Sequence, residues 1–125
     1  MYLLDTNSII KYLDGSLNPN GVAFMNKILD DKSAISIITK IETLGFNFTV
    51  LAEQENTEYF INNSTIMEMS NDVVNKTIAL RKRNKIKLPD AIIAATAIVY
   101  DFTLITGDKY FKNITELNTI DPNSL

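Results

Sequence analysis

With 125 residues, 46% of them hydrophobic and 22% charged, the chain has the size and composition expected of a single domain spanning 1–125. It contains no cysteine and no histidine, which excludes disulfides, thiol nucleophiles, zinc sites of the Cys/His kind and imidazole acid–base chemistry. Any catalysis must therefore come from carboxylates, hydroxyls, amides, lysine or arginine, and any bound metal must be a hard cation held by oxygen.

The net charge of −3 excludes a protein that coats nucleic acid by bulk electrostatics. Its distribution is uneven. Residues 81–87, RKRNKIK, hold five of the twelve basic side chains and no acid, so the rest carries seven basic against fifteen acidic side chains, a balance of −8. No apolar run approaches the roughly 18 residues of a membrane span, and MYLLD has no basic lead-in. A cytoplasmic protein without membrane association is expected.

Tyr2 to Asp5 is a short apolar run ending in an acid, a first strand. It feeds TNSIIKYLDG, a helix capped by Thr6, Asn7 or Ser8 and closed by Gly15. Asn18, Pro19 and Asn20 mark a break, and Val22 to Leu29 has helical spacing. Ser33 to Ile38 is β-branched and compact, a buried second strand, and Thr39 opens the helix TKIETLGFN. Val50 to Asn63 reads as polar helix anchored by Tyr59 and Phe60, and Ser64 to Met67 as a short third strand. Ser70 caps an amphipathic helix with Val73, Val74, Ile78 and Leu80 on its core face, and its basic last turn suits the helix dipole. Pro89 fits the first turn of a helix running from Asp90 to Tyr100, uncharged from Ala91 onward and hence buried all round. Phe102 to Thr106 is a fourth strand, TGDKYFKNI a loop and turn, and Leu117 to Ile120 a last strand. Strands alternating with helices predict an α/β domain with a mostly parallel sheet covered on both faces.

Ligands in such folds bind beyond the carboxyl ends of the strands, and four acids fall near that edge. Asp5 ends strand one, Glu42 lies in the first turn after strand two, Asp90 heads the helix leading into strand four, and Asp108 follows that strand by two residues. Each has an ordinary explanation. Asp5 and Asp90 suit helix starts, Thr39 and Glu42 have the spacing of a capping box, and Asp108 behind Gly107 suits a turn. Caps do not explain convergence. Two like charges 4 Å apart repel by about 4 kcal/mol at an effective dielectric near 20, so four converging carboxylates must take up protons or bind a cation. An all-oxygen set favours Mg²⁺ or Mn²⁺.

The motifs LLDTNSII, ITKIETL, LPDAIIAATAIVYDFTLITGD and YFKNITEL together resemble the PIN-domain ribonucleases, in particular the VapC-type toxins of bacterial toxin–antitoxin pairs. The resemblance runs from Tyr2 to Pro122 and is most specific in PDAIIAATA followed by LITGD. It implies a three-layer α/β/α sandwich, an acidic pocket for Mg²⁺ or Mn²⁺, cleavage of RNA, a homodimer and a cognate antitoxin that blocks the pocket. By position, Asp5 and Asp90 match the acids that ligate metal most directly, and Asp108 the acid that completes the pocket. Glu42 would act mainly through a water, while Asn7 and Thr106 match polar residues that orient the acids. Family members often carry another acid just before the phenylalanine; here Tyr110 stands there, which leaves the number of metals open.

The chemistry so implied is metal-assisted phosphodiester hydrolysis leaving a 5′-phosphate and a 3′-hydroxyl. The RKRNKIK edge, with Arg83, Lys85 and Lys87, is a candidate contact for the RNA backbone, its alternative being a solvated helix end. A silent RNA- or protein-binding module of the same fold and a DNA nuclease are the competing readings. An aspartyl-phosphate phosphatase would want an acid where Asn7 stands.

Overall fold

The structure is a computed structural model describing all residues, 1–125. Its elements in chain order are β1 (Tyr2–Leu4), α1 (Thr6–Asp14), α2 (Pro19–Ile28), β2 (Ser33–Ser36), α3 (Ile37–Leu44), α4 (Leu51–Asn62), β3 (Ile66–Met67), α5 (Asn71–Arg83), α6 (Leu88–Val99), β4 (Thr103–Ile105) and β5 (Thr119–Ile120). Two short 3-10 helices, Lys109–Asn113 and Pro122–Ser124, follow β4 and β5.

All five strands pair in parallel in the order β3-β2-β1-β4-β5. The alternation of side chains along each strand splits the core into two layers. Leu3, Ala34 and Leu104 face a cluster built with Val73 and Leu80 of α5 and Ala91, Ile93 and Ala94 of α6. Leu4, Ile35 and Ile105 face the opposite cluster, built with Ile9 of α1, Met25 and Ile28 of α2 and Ile61 of α4. Ala91 through Ala97 are all buried, as a helix with no polar face requires. The architecture is thus the expected α/β/α sandwich.

Several local expectations give way to tertiary packing. Val74 and Ile78 are 38% and 49% exposed, and the core face of α5 runs instead through Val73, Thr77 and Leu80. Tyr59 is exposed, leaving Phe60 and Ile61 to anchor α4. Buried threonines inside helices are tolerated because each hydroxyl donates to the carbonyl four residues back: Thr43 to Thr39, Thr57 to Glu53, Thr77 to Val73 and Thr96 to Ile92, at 2.7–2.8 Å. No buried side-chain polar atom is left without a partner.

The strand order fixes where a site can form. From β1 the chain crosses to β2 and then β3 on one side, then returns to place β4 on β1's other side, so the direction of winding reverses between β1 and β4. The carboxyl ends of those two strands border the crevice that open α/β sheets use for ligands. Asp5 and Thr106 are the first residues beyond them.

Candidate active site

Asp5 sits at the end of β1 with its N–H donating to the Ile105 carbonyl of β4, so the backbone holds it against the neighbouring strand. Its carboxylate is the N-cap of α1, accepting from the Ser8 N–H at 2.8 Å. The Ser8 hydroxyl donates to the Ile105 carbonyl at 3.1 Å and ties α1 to the same strand. Only 5% of Asp5 is exposed. Burial pushes its carboxyl above the usual range and repulsion from Asp108 adds to this, against hydrogen bonding from Thr106 and Ser8 that lowers it.

Asp90 does not cap α6. The helix begins at Leu88 with Lys87 as a cap that offers no side-chain bond, which puts Asp90 third in the first turn. Its carboxylate accepts no hydrogen bond from the protein and is half-buried. Partial burial raises its pKa first, followed by repulsion from Asp108, Glu42 and Asp5, while Lys87 lowers it. The other three acids singled out in the sequence therefore lie within electrostatic reach of Asp90, and a capping role does not account for it.

The capping box expected at Thr39 and Glu42 is absent. Ser36 caps α3, accepting from the Thr39 N–H at 3.2 Å, because the helix starts two residues earlier than its sequence suggests. Glu42 is thereby free to reach across to α1, where the Thr6 hydroxyl donates to it at 2.7 Å. A carboxylate only accepts, so Thr6 spends its single proton on Glu42. The contact between the Thr6 and Thr39 hydroxyls, 3.2 Å, must then run from Thr39 to Thr6, and Ser36 donates to Thr39 at 3.3 Å. The result is a one-way chain, Ser36 to Thr39 to Thr6 to Glu42, with its first two members fully buried. In the sequence Thr6 stands out only as a possible cap of α1, a role that Asp5 fills instead, and Ser36 does not stand out at all. A hydroxyl beside a candidate acid, as in DTN, was the only signal for Thr6 as a partner of the site.

Asp108 is exposed and caps the 3-10 helix Lys109–Asn113, accepting from the Tyr110 N–H at 2.9 Å, while its own N–H donates to the buried Thr106 hydroxyl at 3.0 Å. Thr106 thus anchors the backbone of Asp108 and lies near enough to Asp5 to lower its pKa. Asn7 is exposed, makes no side-chain hydrogen bond and lines a small polar pocket with Lys11, Asp108 and Asp121. Asp121, immediately after β5, is a further acid at this edge. It has the same strand-end position as Asp5, directly behind the last strand expected at Leu117 to Ile120, a position the sequence reading did not use.

The donor chemistry fits a hard cation, being all oxygen, with two carboxyls pushed toward protonation by burial and mutual repulsion that a positive ion would relieve. No three of the acids stand close enough together to share one ion as they lie. The acids form an open constellation, brought together from the end of β1, from α3, from α6 and from the loop after β4.

The basic segment divides. Arg83 pairs with Glu116 at 3.6 Å, which also holds Lys76 at 2.8 Å. Lys85 is exposed, and its carbonyl accepts from the Tyr110 hydroxyl at 2.6 Å. Lys87 stands beside Asp90 at the start of α6.

Comparison with known proteins bears on the fold and the family. A toxin–antitoxin complex from Klebsiella pneumoniae contains a chain similar to this one, 29% identical, with 98% of each chain covered and a TM-score of 0.77. FitAcB from Neisseria gonorrhoeae is 26% identical over 100% of each chain, with a TM-score of 0.83. DNA-bound VapBC from Salmonella typhimurium, 18% identical over 97% of each chain with a TM-score of 0.84, shares the fold. No curated protein matches at the level of sequence. The sequence model of the PIN domain matches residues 2–117, nearly the whole sandwich with all four acids, and the chain belongs to the PIN domain family.

Proposed function

We propose that this protein is the toxin of a toxin–antitoxin pair, of the VapC type, and hydrolyses RNA with the help of Mg²⁺ or Mn²⁺. The observation that carries the reading is the coupling of Asp5, Glu42, Asp90 and Asp108 at the point where strand order reverses, in a chain with no histidine to supply another kind of nuclease. Asp5 and Asp90 would hold the ion, with Asp108 completing its surroundings. A divalent cation held there would supply water of lowered pKa and offset negative charge at the phosphate. The chain's own residues do the rest. Thr6 holds Glu42 on the α1 side of the site, where it orients the attacking water and accepts its proton. Thr106 and Ser8 keep the Asp5 carboxylate from rotating away. Attack by external water leaves a 5′-phosphate and a 3′-hydroxyl.

A partner protein is supported by a groove of about 310 Å³ between α1, α3 and α4, lined by Ile10, Leu13, Phe46 and Phe48 and rimmed by Asp14, Glu42 and Glu53 with no basic residue. Phe46 is 64% exposed and Ile10 46%. An apolar groove with an acidic rim suits an antitoxin segment that is apolar on one face and basic on the other. Because Glu42 belongs to both rim and site, such a segment reaches the acids. We further assign the protein a homodimeric state, as the family resemblance implies.

The test is cleavage of single-stranded RNA and DNA with Mg²⁺, with Mn²⁺ and with chelator, for the wild type and Asp90→Asn. RNA cleavage that needs the ion and falls in the variant by more than the roughly 10- to 100-fold typical of outer partners of a metal site supports the reading. Activity surviving in chelator or in Asp90→Asn ends it, and a preference for DNA reassigns the substrate.

A further inference from the structure

Asp108 is carried by an exposed stretch of main chain, since Gly107 before it and Lys109 behind it are exposed as well. Asp90 stands on a firmer base, because α6 is buried from Ala91 through Ala97 and packs along α5. The two acids face one another: after burial, repulsion from Asp108 is the strongest influence raising the Asp90 pKa. Like charges on a loop and a helix push the loop away unless something ties it down.

Tyr110 spans that gap. Its N–H donates to the Asp108 carboxylate at 2.9 Å, and its hydroxyl donates at 2.6 Å to the carbonyl of Lys85, 25 residues away in the turn between α5 and α6. Tyr110 packs against the core cluster in which Phe111, the next residue, is buried together with Ala91 and Ile93 of α6. The turn has little else to hold it. The main chain of Lys85 and Ile86 makes no backbone–backbone hydrogen bond, and the Tyr110 hydroxyl is its one side-chain donor. That hydroxyl lies within reach of solvent, so burial alone does not demand a protein partner for it.

Resting on the metal-dependent nuclease reading, we propose that Tyr110 is a positioning residue, strapping the loop that carries Asp108 to the α5–α6 turn and so fixing the opening between Asp108 and Asp90 in which the ion would be held. Its hydroxyl proton is spent on the Lys85 carbonyl, and it acts through Asp108. The strap leaves room for an ion between the acids and stops the loop from parting further from α6.

The experiment titrates Mn²⁺ into the full chain by calorimetry, well below the melting temperature that each protein shows in chelator. Tyr110→Phe keeps the ring and removes the hydroxyl, and it should raise the Mn²⁺ dissociation constant about 10-fold, the lower end of the effect of outer partners of a metal site. In an Asp108→Asn background the same substitution should change the constant by less than about twofold, because its route to the ion is gone. A merely structural hydroxyl would lower the melting temperature and leave the constant alone. An unchanged constant in Tyr110→Phe overturns the strap, and so does a 10-fold loss that persists beside Asp108→Asn. Coupling between strap and ion is reciprocal, so saturating Mg²⁺ should slow exchange of the Tyr110 hydroxyl proton in the wild type about 10-fold, as read by NMR. This readout stands even where Tyr110→Phe fails to fold, and unaltered exchange also overturns the strap. Each of these failures leaves the nuclease reading in place, whereas absence of Mn²⁺ binding to the wild type overturns both.

Discussion

Asp5→Asn and Asp5→Ala separate the two jobs of one carboxylate. As the N-cap of α1 it accepts the Ser8 N–H at 2.8 Å. Asparagine offers an equivalent oxygen and alanine offers none, a loss of about 1 kcal/mol, or about 4 °C in melting temperature for a domain of this size. As a buried anion Asp5 opposes folding. Its folded pKa lies above the ordinary 3.8 because burial penalises the charge, so the folded state binds that proton more tightly than the unfolded chain does. The stability this contributes is fully present below pH 3.8 and is lost as pH rises through the raised folded value. Asparagine does not titrate. In chelator, Asp5→Asn should therefore melt above wild type at pH 7, with the gap closing toward pH 3, while Asp5→Ala melts about 4 °C below Asp5→Asn at both. Mn²⁺ at about 100 times its dissociation constant should add about 2.7 kcal/mol to wild type and little to either variant. Calorimetric melts at the two pH values, with and without Mn²⁺, give every term. A gap between Asp5→Asn and wild type that is the same at pH 3 and pH 7 would refute the reasoning, as would an equal gain from Mn²⁺ in all three proteins.

Thr6→Val should remove the donor to Glu42 and strand the Thr39 hydroxyl, lowering stability by about 1 kcal/mol, the scale of one hydrogen bond, with Thr6→Ser restoring it. Denaturant titrations of Thr6→Val, Glu42→Gln and the double variant check the link, since effects that add within about 0.3 kcal/mol would show that the two side chains do not act together. Gly21→Ala places a Cβ 2.6 Å from the Pro122 carbonyl oxygen and should cost about 1–3 kcal/mol by forcing the C-terminal 3-10 helix off α2. The Asn18 and Asn123 hydrogen bonds at 2.9 and 3.0 Å hold the same contact, so faster trimming by carboxypeptidase should accompany the lower denaturation midpoint. An unchanged midpoint would mean the chain end shifts without cost.

The sequence by itself determined which elements form and which chemistry is available. Apolar runs at YLL, SAIS and TLI separated by helical spacing leave a parallel α/β sandwich as the way to bury all of them, and the absence of histidine and cysteine restricts the site to oxygen. The uninterrupted apolar stretch after Asp90 likewise required a central helix, because no orientation of it gives water a polar face. Only the tertiary structure decided what each acid touches. Ser36 rather than Thr39 caps α3, since burial of Ser36 at the end of β2 lets its hydroxyl meet the Thr39 N–H, and that shift hands Glu42 to Thr6, 36 residues away in the chain. Local spacing cannot report a partner supplied by another element. For the same reason Lys11, Gly107 and Asp121 are unrelated in sequence and neighbours in space, brought together because β1, β4 and β5 lie side by side and all end at one edge of the sheet.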